Sequence, residues 1–355
     1  MVGSEVDSHR LLAHKHMENK ISIVMSVRNG EQHLEKCIKS LLGQTLCDFE
    51  LIITDDNSQD RTWELISDYS ANFFRKIKPI RNETNIGLTK SLNKMLEIAS
   101  GEFVARIDAD DTSNPNRLEK QAMFLDSNKD IDMVVGCGRV IDENGKELYG
   151  ICPARDFLNL KWSLIFRNNI RHSTVMWRKK INQIYNEDFY YCQDYEMWCR
   201  MIRNGHKIGI LHECVSDICE CADTITKKTG ERQEEMACLV TKQQAEFYMQ
   251  KEISNSQAKN LRLIYAQKSG LQAEQFQSAS SKEISEATAI YLQAAECFFK
   301  KEKPDILEFA EEIGRDLNCL LLNSNKESIL VAIYKWFDEE VGKNELRSLI
   351  NKILN

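Results

Sequence analysis

The chain has 355 residues, 42% of them apolar and 28% charged, with a formal net charge of −7. That length exceeds what one hydrophobic core usually organises, so a main domain with an appendage is expected. The acidic balance excludes a general nucleic-acid groove, which needs a basic surface to neutralise phosphates.

Residues 1–20 carry Arg10, Lys15 and Lys20 among Glu5, Asp7 and Glu18. They lack the apolar stretch and small-residue cleavage site of a secretory signal and read as an N-terminal extension of a cytoplasmic protein. The run Ile21–Val27 (ISIVMSV) is among the longest apolar runs, far too short to cross a bilayer, but it suits a buried strand ending in the turn Arg28-Asn29-Gly30. Leu34, Cys37, Ile38, Leu41 and Leu42 then follow helical spacing, and FELIIT at 49–54 is a second buried strand. The alternation repeats: a helix at 62–70, a strand at 77–81, a helix at 88–98 stopping before Gly101, and a strand at 103–107. Such alternation specifies a doubly wound α/β sheet with helices on both faces. From Met133 the pattern loosens into MVVGCGRVID and the turn Glu143-Asn144-Gly145, read as an edge hairpin of a now mixed sheet, followed by a helix around 158–166.

Residues 221–235 are polar and read as a flexible loop. Residues 236–355, with one proline and three glycines, read as a helical C-terminal domain. Its apolar stripes at 320–322 and 329–337 would serve a bundle core, a homo-oligomer contact or peripheral docking on a membrane face. The twelve cysteines are mostly scattered singly and read as free, buried thiols, and the cluster Cys214, Cys219, Cys221 and Cys238 lacks the close pairing of a zinc site.

In doubly wound sheets ligands sit beyond the carboxyl ends of the strands. Those ends carry Ser26 to Asn29, Asp55 to Ser58 and Asp108 to Asp111, so three polar clusters converge on one crevice. The carboxylates of Arg106-Ile107-Asp108-Ala109-Asp110-Asp111 are costly to gather unless a cation neutralises them, and hard oxygen ligands suit Mg²⁺ or Mn²⁺ shared with a diphosphate. Taken alone, the same residues could form a turn and a helix cap. So could Asp55-Asp56-Asn57-Ser58.

The segments SVRNGEQHLEKCIKSLLGQT, FELIITDDNSQDRT, NIGLTKSLNKMLEIASGEFVARIDADD and NPNRLEKQ, in that order, resemble the successive motifs of the family-two inverting glycosyltransferases. The resemblance covers residues 21–211 and implies a GT-A fold with the catalytic domain at 21–220. It further implies a nucleotide-sugar donor, UDP-linked by family frequency, a divalent cation (Mn²⁺ or Mg²⁺) and transfer with inversion to a saccharide or lipid-linked glycan. Carried over by position, Ser26 and Arg28 line the nucleotide pocket, Asp56 meets the base, and Asp108, Ala109 and Asp110 form the DxD element, with Asp110 on the metal. Lys90 stands where relatives often place a basic residue toward the nucleotide. Asp194, in CQDYEMWCR, matches the general base that deprotonates the acceptor hydroxyl. Glu196 is instead placed to pair with Arg200 at i+4. His172 is read either as a hydrogen-bonded structural residue or as an acceptor contact.

Two departures from the family pattern stand out. Gln193 replaces the first acid of the pair before the helix. Residues 217–221 (DICEC), followed by Thr224 and Thr226, replace a lid loop carrying Tyr-Arg, His and Ser, so that Lys227, Lys228 or Arg232 would have to supply positive charge over the diphosphate. These departures motivate a rival reading as an inactive sugar-nucleotide-binding subunit of a glycan-assembly complex. A nucleotidyltransferase would need a Gly-rich basic loop that SVRNGEQ lacks.

Overall fold

The computed structural model describes residues 20–220, 230–266, 281–304 and 313. They form two compact units, one of residues 20–157 and 170–220, the other of Leu158–Asn169 with 230–266, 281–304 and 313. The first unit contains, in chain order, β1 (Ile21–Val27), α1 (Leu34–Leu42), β2 (Phe49–Asp55), α2 (Thr62–Asn72), β3 (Ile77–Arg81), α3 (Leu88–Ile98), β4 (Phe103–Arg106), β5 (Thr112–Ser113), α4 (Arg117–Ser127), β6 (Met133–Ile141) and β7 (Glu147–Ile151). After α5 (Phe157–Ser163) come β8 (Val175–Arg178), α6 (Gln193–Arg203) and β9 (Ile208–Cys219).

The nine strands make one sheet in the order β3-β2-β1-β4-β8-β6-β9-β5, with β7 paired to β6. β3, β2, β1 and β4 are mutually parallel, whereas β8 runs antiparallel between β4 and β6. The sheet is therefore doubly wound in its first half and mixed in its second, as the alternation of elements predicts.

β1 and β2 are covered on both faces, which is why they read as unbroken apolar runs rather than alternating ones. Ile23, Met25, Leu51 and Ile53 on these strands pack with Leu34, Cys37, Ile38 and Leu41 of α1, and each such side chain contributes about 1.5–3 kcal/mol on leaving water. Gly101 lets the chain entering β4 press against β1: a Cβ there would stand 2.5 Å from the Ser22 backbone nitrogen. Nearby Glu50, 1% exposed at its side chain, accepts from Ser22 Oγ at 2.5 Å and from the backbone and hydroxyl of Ser100 at 2.7 Å, and pairs with Lys78. Burial opposes its charge, but these donors more than offset it and hold its carboxyl down at about 2.

The second unit draws Leu158–Asn169 out of the middle of the chain and joins it to α7 (Gly230–Met249), α8 (Asn255–Ala266) and α9 (Ser281–Glu302). Trp162 packs edge-on against Phe166, Tyr291 and Phe298 with ring centroids 4.7–5.3 Å apart. Arg262 reaches both carboxylate oxygens of Glu234 at 2.7 and 2.8 Å and the Phe166 carbonyl at 2.9 Å. The sequence reading kept 158–166 inside the catalytic domain because helical periodicity says which face is apolar but not what covers it. It also ran the loop to 235, whereas α7 begins at Gly230. Residues 1–19 and 221–229, with Cys221, Thr224, Thr226, Lys227 and Lys228, and the stripes at 320–322 and 329–337 lie outside the described residues.

The reading of scattered free thiols needs a correction. Cys137 and Cys152 form a disulfide across the β6–β7 hairpin, and Cys152 is exposed. Cys37 and Cys199 are free and buried as expected, but Cys47 is free and exposed.

Candidate active site

The carboxyl ends of β1 and β2 are laced together by their own loops. Asn29 N donates to Ser58 Oγ (2.9 Å), Gly30 N to Thr62 Oγ1 (2.8 Å) and Gln59 N to Asn29 Oδ1 (2.9 Å). Asn29 and Asn57 take left-handed φ values of 52° and 59°, a conformation that asparagine tolerates better than most residues. Ser26 lies half-buried near the end of β1, and Arg28 is exposed just beyond it.

Asp56 is 3% exposed and accepts three hydrogen bonds of 2.9 Å, from Asn82 Nδ2 and Ile86 N on Oδ1 and from Gly87 N on Oδ2. A carboxylate offers about four acceptor directions, so Asp56 keeps about one beyond its work of clasping the β3–α3 loop. That loop needs Gly87, whose φ of 88° suits glycine, and it leads into α3 with Lys90 exposed on the first turn.

The acidic turn after β4 divides its carboxylates by task. Asp108 pairs with Arg106, its backbone nitrogen donates to Ser173 Oγ at 2.8 Å, and its carbonyl accepts from Cys37 Sγ at 3.4 Å. Asp111 accepts from the Cys219 backbone at 2.9 Å, tying the turn to the end of β9. Ala109 and Asp110 between them are half-buried. Burial, then the Asp108 charge, pushes the Asp110 carboxyl up to about 6. Burial and the same neighbours push Asp111 well above the usual carboxylate range. An uncompensated acidic cluster of this kind fits a divalent cation, whose charge would relieve the repulsion. Among the described residues, the aspartates do not appear as a three-ligand cage. Mg²⁺ or Mn²⁺ would need only one or two of these carboxylates, taking their other oxygens from water and phosphate.

Arg106 is fully buried beneath this turn. Burial disfavours its charge, but the Asp108 carboxylate and its hydrogen bond outweigh that and raise its pKa. Arg117, also fully buried, donates to the Arg106 carbonyl at 2.7 Å, the Val175 carbonyl at 3.2 Å and Gln121 Oε1 at 3.0 Å, so it knits β4 to β8.

Asp194 sits in the first turn of α6, entered through Cys192 in a left-handed conformation. Its Oδ1 accepts from Tyr195 N at 2.8 Å. Tyr185, buried beside it, is pushed up by burial, with Asp194 and Asp108 adding to that and Arg106 opposing it. The Tyr185 hydroxyl thus lies in the fields of the two carboxylates expected on opposite sides of the reaction. It is 2.7 Å from His172 Nε2. His172 is 9% exposed, meets Tyr185 and Trp198 edge-on, and is held well below its ordinary pKa by burial and by Arg106. Its hydrogen bond to Tyr185 and its burial fit the structural role, while the acceptor role stays an expectation.

The expected groups are thus distributed over the strand ends: Ser26, Arg28 and Asp56 on β1 and β2, Asp108 to Asp110 after β4, and Asp194 in the field that Tyr185 shares. Lys90 makes no hydrogen bond or ion pair with this cluster among the described residues. Glu196 pairs with Arg200 at 3.0 Å as its spacing predicts, and with Arg203 at 3.6 Å. Residues 217–219 differ from the lid reading: they belong to β9, where Ser216 and Asp217 pair with β5. Arg106, Tyr185 and Ser173 carry the site, yet sequence reasoning gave them no role. For Arg106 a signal exists, because i and i+2 share a face of a strand and Arg106 is two residues from Asp108.

The profile of glycosyl transferase family 2 matches residues 22–200. An uncharacterized glycosyltransferase, MJ1057 of Methanocaldococcus jannaschii, is 36% identical over 198 residues, covering 54% of this chain and 68% of the relative. The UDP-Glc:alpha-D-GlcNAc-diphosphoundecaprenol beta-1,3-glucosyltransferase WfgD of Escherichia coli is 29% identical over 187 residues, 52% of this chain and 71% of WfgD. Among solved structures, S. aureus TarS 1-349 in complex with UDP-GlcNAc superposes with a TM-score of 0.56 at 17% identity, covering 94% of this chain and 91% of that one. The chain spans 49% of a longer TarS chain of the same fold. With the profile covering half of its length and the strand order of the fold in place, the chain belongs to glycosyl transferase family 2 and has the GT-A fold.

Proposed function

We propose that this chain transfers a hexose or N-acetylhexosamine, with inversion, from a UDP-sugar to a saccharide or lipid-linked glycan in the cytoplasm, using Mn²⁺ or Mg²⁺. The observation that carries this reading is Asp110, a half-buried carboxyl raised to about 6 with no side-chain partner from another residue among those described, beside two aspartates already engaged. WfgD, a relative acting on a lipid-linked diphosphate sugar by its name, and the UDP complexes of TarS support the choice of donor and acceptor class. Among the described residues no helix is long and apolar enough to cross a membrane.

In this mechanism Asp110 binds the cation, which when present supplies charge stabilisation to the departing diphosphate. Asp108, fixed by Arg106 and Ser173, faces the ribose, while Ser26 and Arg28 flank the nucleotide. Asp194 takes the acceptor proton as the hydroxyl attacks from the face opposite the leaving group. Neutral His172 and Tyr185 keep the wall between the two carboxylates in one arrangement and exchange no proton with substrate.

The test is UDP release from a panel of UDP-sugars with and without Mn²⁺ and simple acceptors. Metal-dependent turnover lost in Asp110→Ala and Asp194→Asn supports the mechanism and names the donor. Donor binding without turnover across the panel favours the reading as a binding subunit, which buried Gln193 in place of an acid motivates.

A further inference from the structure

Away from the strand ends that form the donor crevice, the second half of the sheet brings two thiols and an imidazole to one point. β6 and β7 pair antiparallel with Gly138 opposite Ile151, which sets Cys137 across from Cys152 with their Cα atoms 4.3 Å apart. On the other edge of β6, the β9 register jumps from Gly136 opposite Leu211 to Cys137 opposite Cys214. His212 and Glu213 are therefore extra residues in a bulge, a device that re-aims side chains. Glu213 turns to an ion pair with Lys120. His212 turns toward the hairpin, its Nδ1 4.0 Å from Cys152 Sγ. The ligand atoms of Cys137, Cys152 and His212 all lie within 4.8 Å of one another, and no other group of three such residues does so among those described.

We propose that in the reduced chain Cys137, Cys152 and His212 bind one Zn²⁺, with water as the fourth ligand, and that the disulfide and the metal are alternative occupants of the same two sulfurs. Two thiolates and an imidazole are the donor set that zinc prefers, with bonds of about 2.3 Å to sulfur and about 2.0–2.1 Å to nitrogen. A tetrahedron of those bonds spaces its donors by about 3.4–3.8 Å. The Cys152 to His212 separation is already close to that, and the sulfurs reach it by rotating apart once their bond is broken. Cys152 and His212 are exposed, which gives the ion an entry path.

The exchange balances with a cellular dithiol as reductant. It gives two electrons and two protons, the S–S bond breaks into two thiols, and the reductant becomes a disulfide. Zn²⁺ then displaces the two thiol protons to solvent. The disulfide closes the β6–β7 hairpin on itself, whereas the metal, through His212, would also pin that hairpin to the bulge of β9. Beyond the bulge, the same strand holds β5 through Ser216 and Asp217 and caps Asp111 through the Cys219 backbone.

The test uses the full chain, reduced with a phosphine that does not hold metal and titrated with Co²⁺ as a visible probe, followed by Zn²⁺. The expected result is one equivalent of Co²⁺ with thiolate-to-cobalt charge transfer and tetrahedral d–d bands, displaced by Zn²⁺. Affinity read by that thiolate band should fall at least tenfold in both Cys152→Ser and His212→Ala, and the reoxidised chain should show no such band, whatever Co²⁺ the acidic turn takes. These exposed positions leave the core untouched, and two variants guard against one failing to fold. A reduced chain with no thiolate band, unchanged affinity in either folded variant, or a pair that resists reduction overturns the proposal.

Discussion

Replacing Asp110 by Asn should stabilise the metal-free protein while abolishing its activity. The Asp110 carboxyl is raised from 3.8 to about 6, so between those values the folded chain holds more protons than the unfolded one. Stability therefore falls as pH rises through that window, and the full cost is present above pH 6. At about 1.4 kcal/mol for each tenfold change in proton affinity, that cost is about 3 kcal/mol, which residual solvent access trims to about 2. Asn is the neutral isostere, so Asp110→Asn should recover about 2 kcal/mol at pH 7.5 and nothing near pH 3.5. For a domain of this size the gain corresponds to a rise in Tm of roughly 4–8 °C. Thermal unfolding in a chelator from pH 4 to pH 8 measures it, and repeating the scan with Mn²⁺ should stabilise the parent chain but not the variant. A variant less stable than the parent at pH 7.5, or an equal Mn²⁺ response in both, would refute the reasoning.

Other outcomes follow from the same contacts. Asp194→Asn should lower turnover about 10²–10⁴-fold while leaving the affinity for UDP with Mn²⁺ within about twofold, read by steady-state kinetics and calorimetry. Arg106→Met removes a charge that favours Asp110 ionisation, so the acid limb of the metal-dependent rate should move to higher pH. An unchanged pH profile with a folded protein would show that Arg106 does not act on the acidic turn. Glu50→Gln should destabilise by about 2–3 kcal/mol at pH 7. The depressed carboxyl contributes above its unfolded value of about 4.5, and that contribution is lost as pH falls toward 2, so the parent and variant unfolding curves should converge in acid.

The first half of the sheet was legible because β1, β2 and β4 are buried on both faces and the helices between them on one. Two different periods therefore alternate cleanly from Ile21 to Arg106. β8 and β9 were not. VMWR is four residues long, and His212 and Glu213 interrupt IGILHECVSDIC where the bulge lies, so neither shows a strand period. The donor-side carboxylates stood out because acidic clusters close successive strands within an ordered series of family motifs, although each alone reads equally as a turn and helix cap. Arg106 did not, because a cation inside an apolar strand looks like a flaw until its partner Asp108 is seen two residues on. The Cys137–Cys152 pair was hidden for a related reason: their pairing depends on the β6–β7 register, and a separation of 15 residues does not disclose it.

The central claim is that Asp110 serves the donor's metal and Asp194 serves the acceptor. Calorimetry of UDP with Mn²⁺ on the parent chain, Asp110→Asn and Asp194→Asn tests it most directly. The account predicts binding that needs the metal, is lost in Asp110→Asn and is kept in Asp194→Asn. Metal-independent binding, or equal binding by Asp110→Asn and the parent, would contradict it.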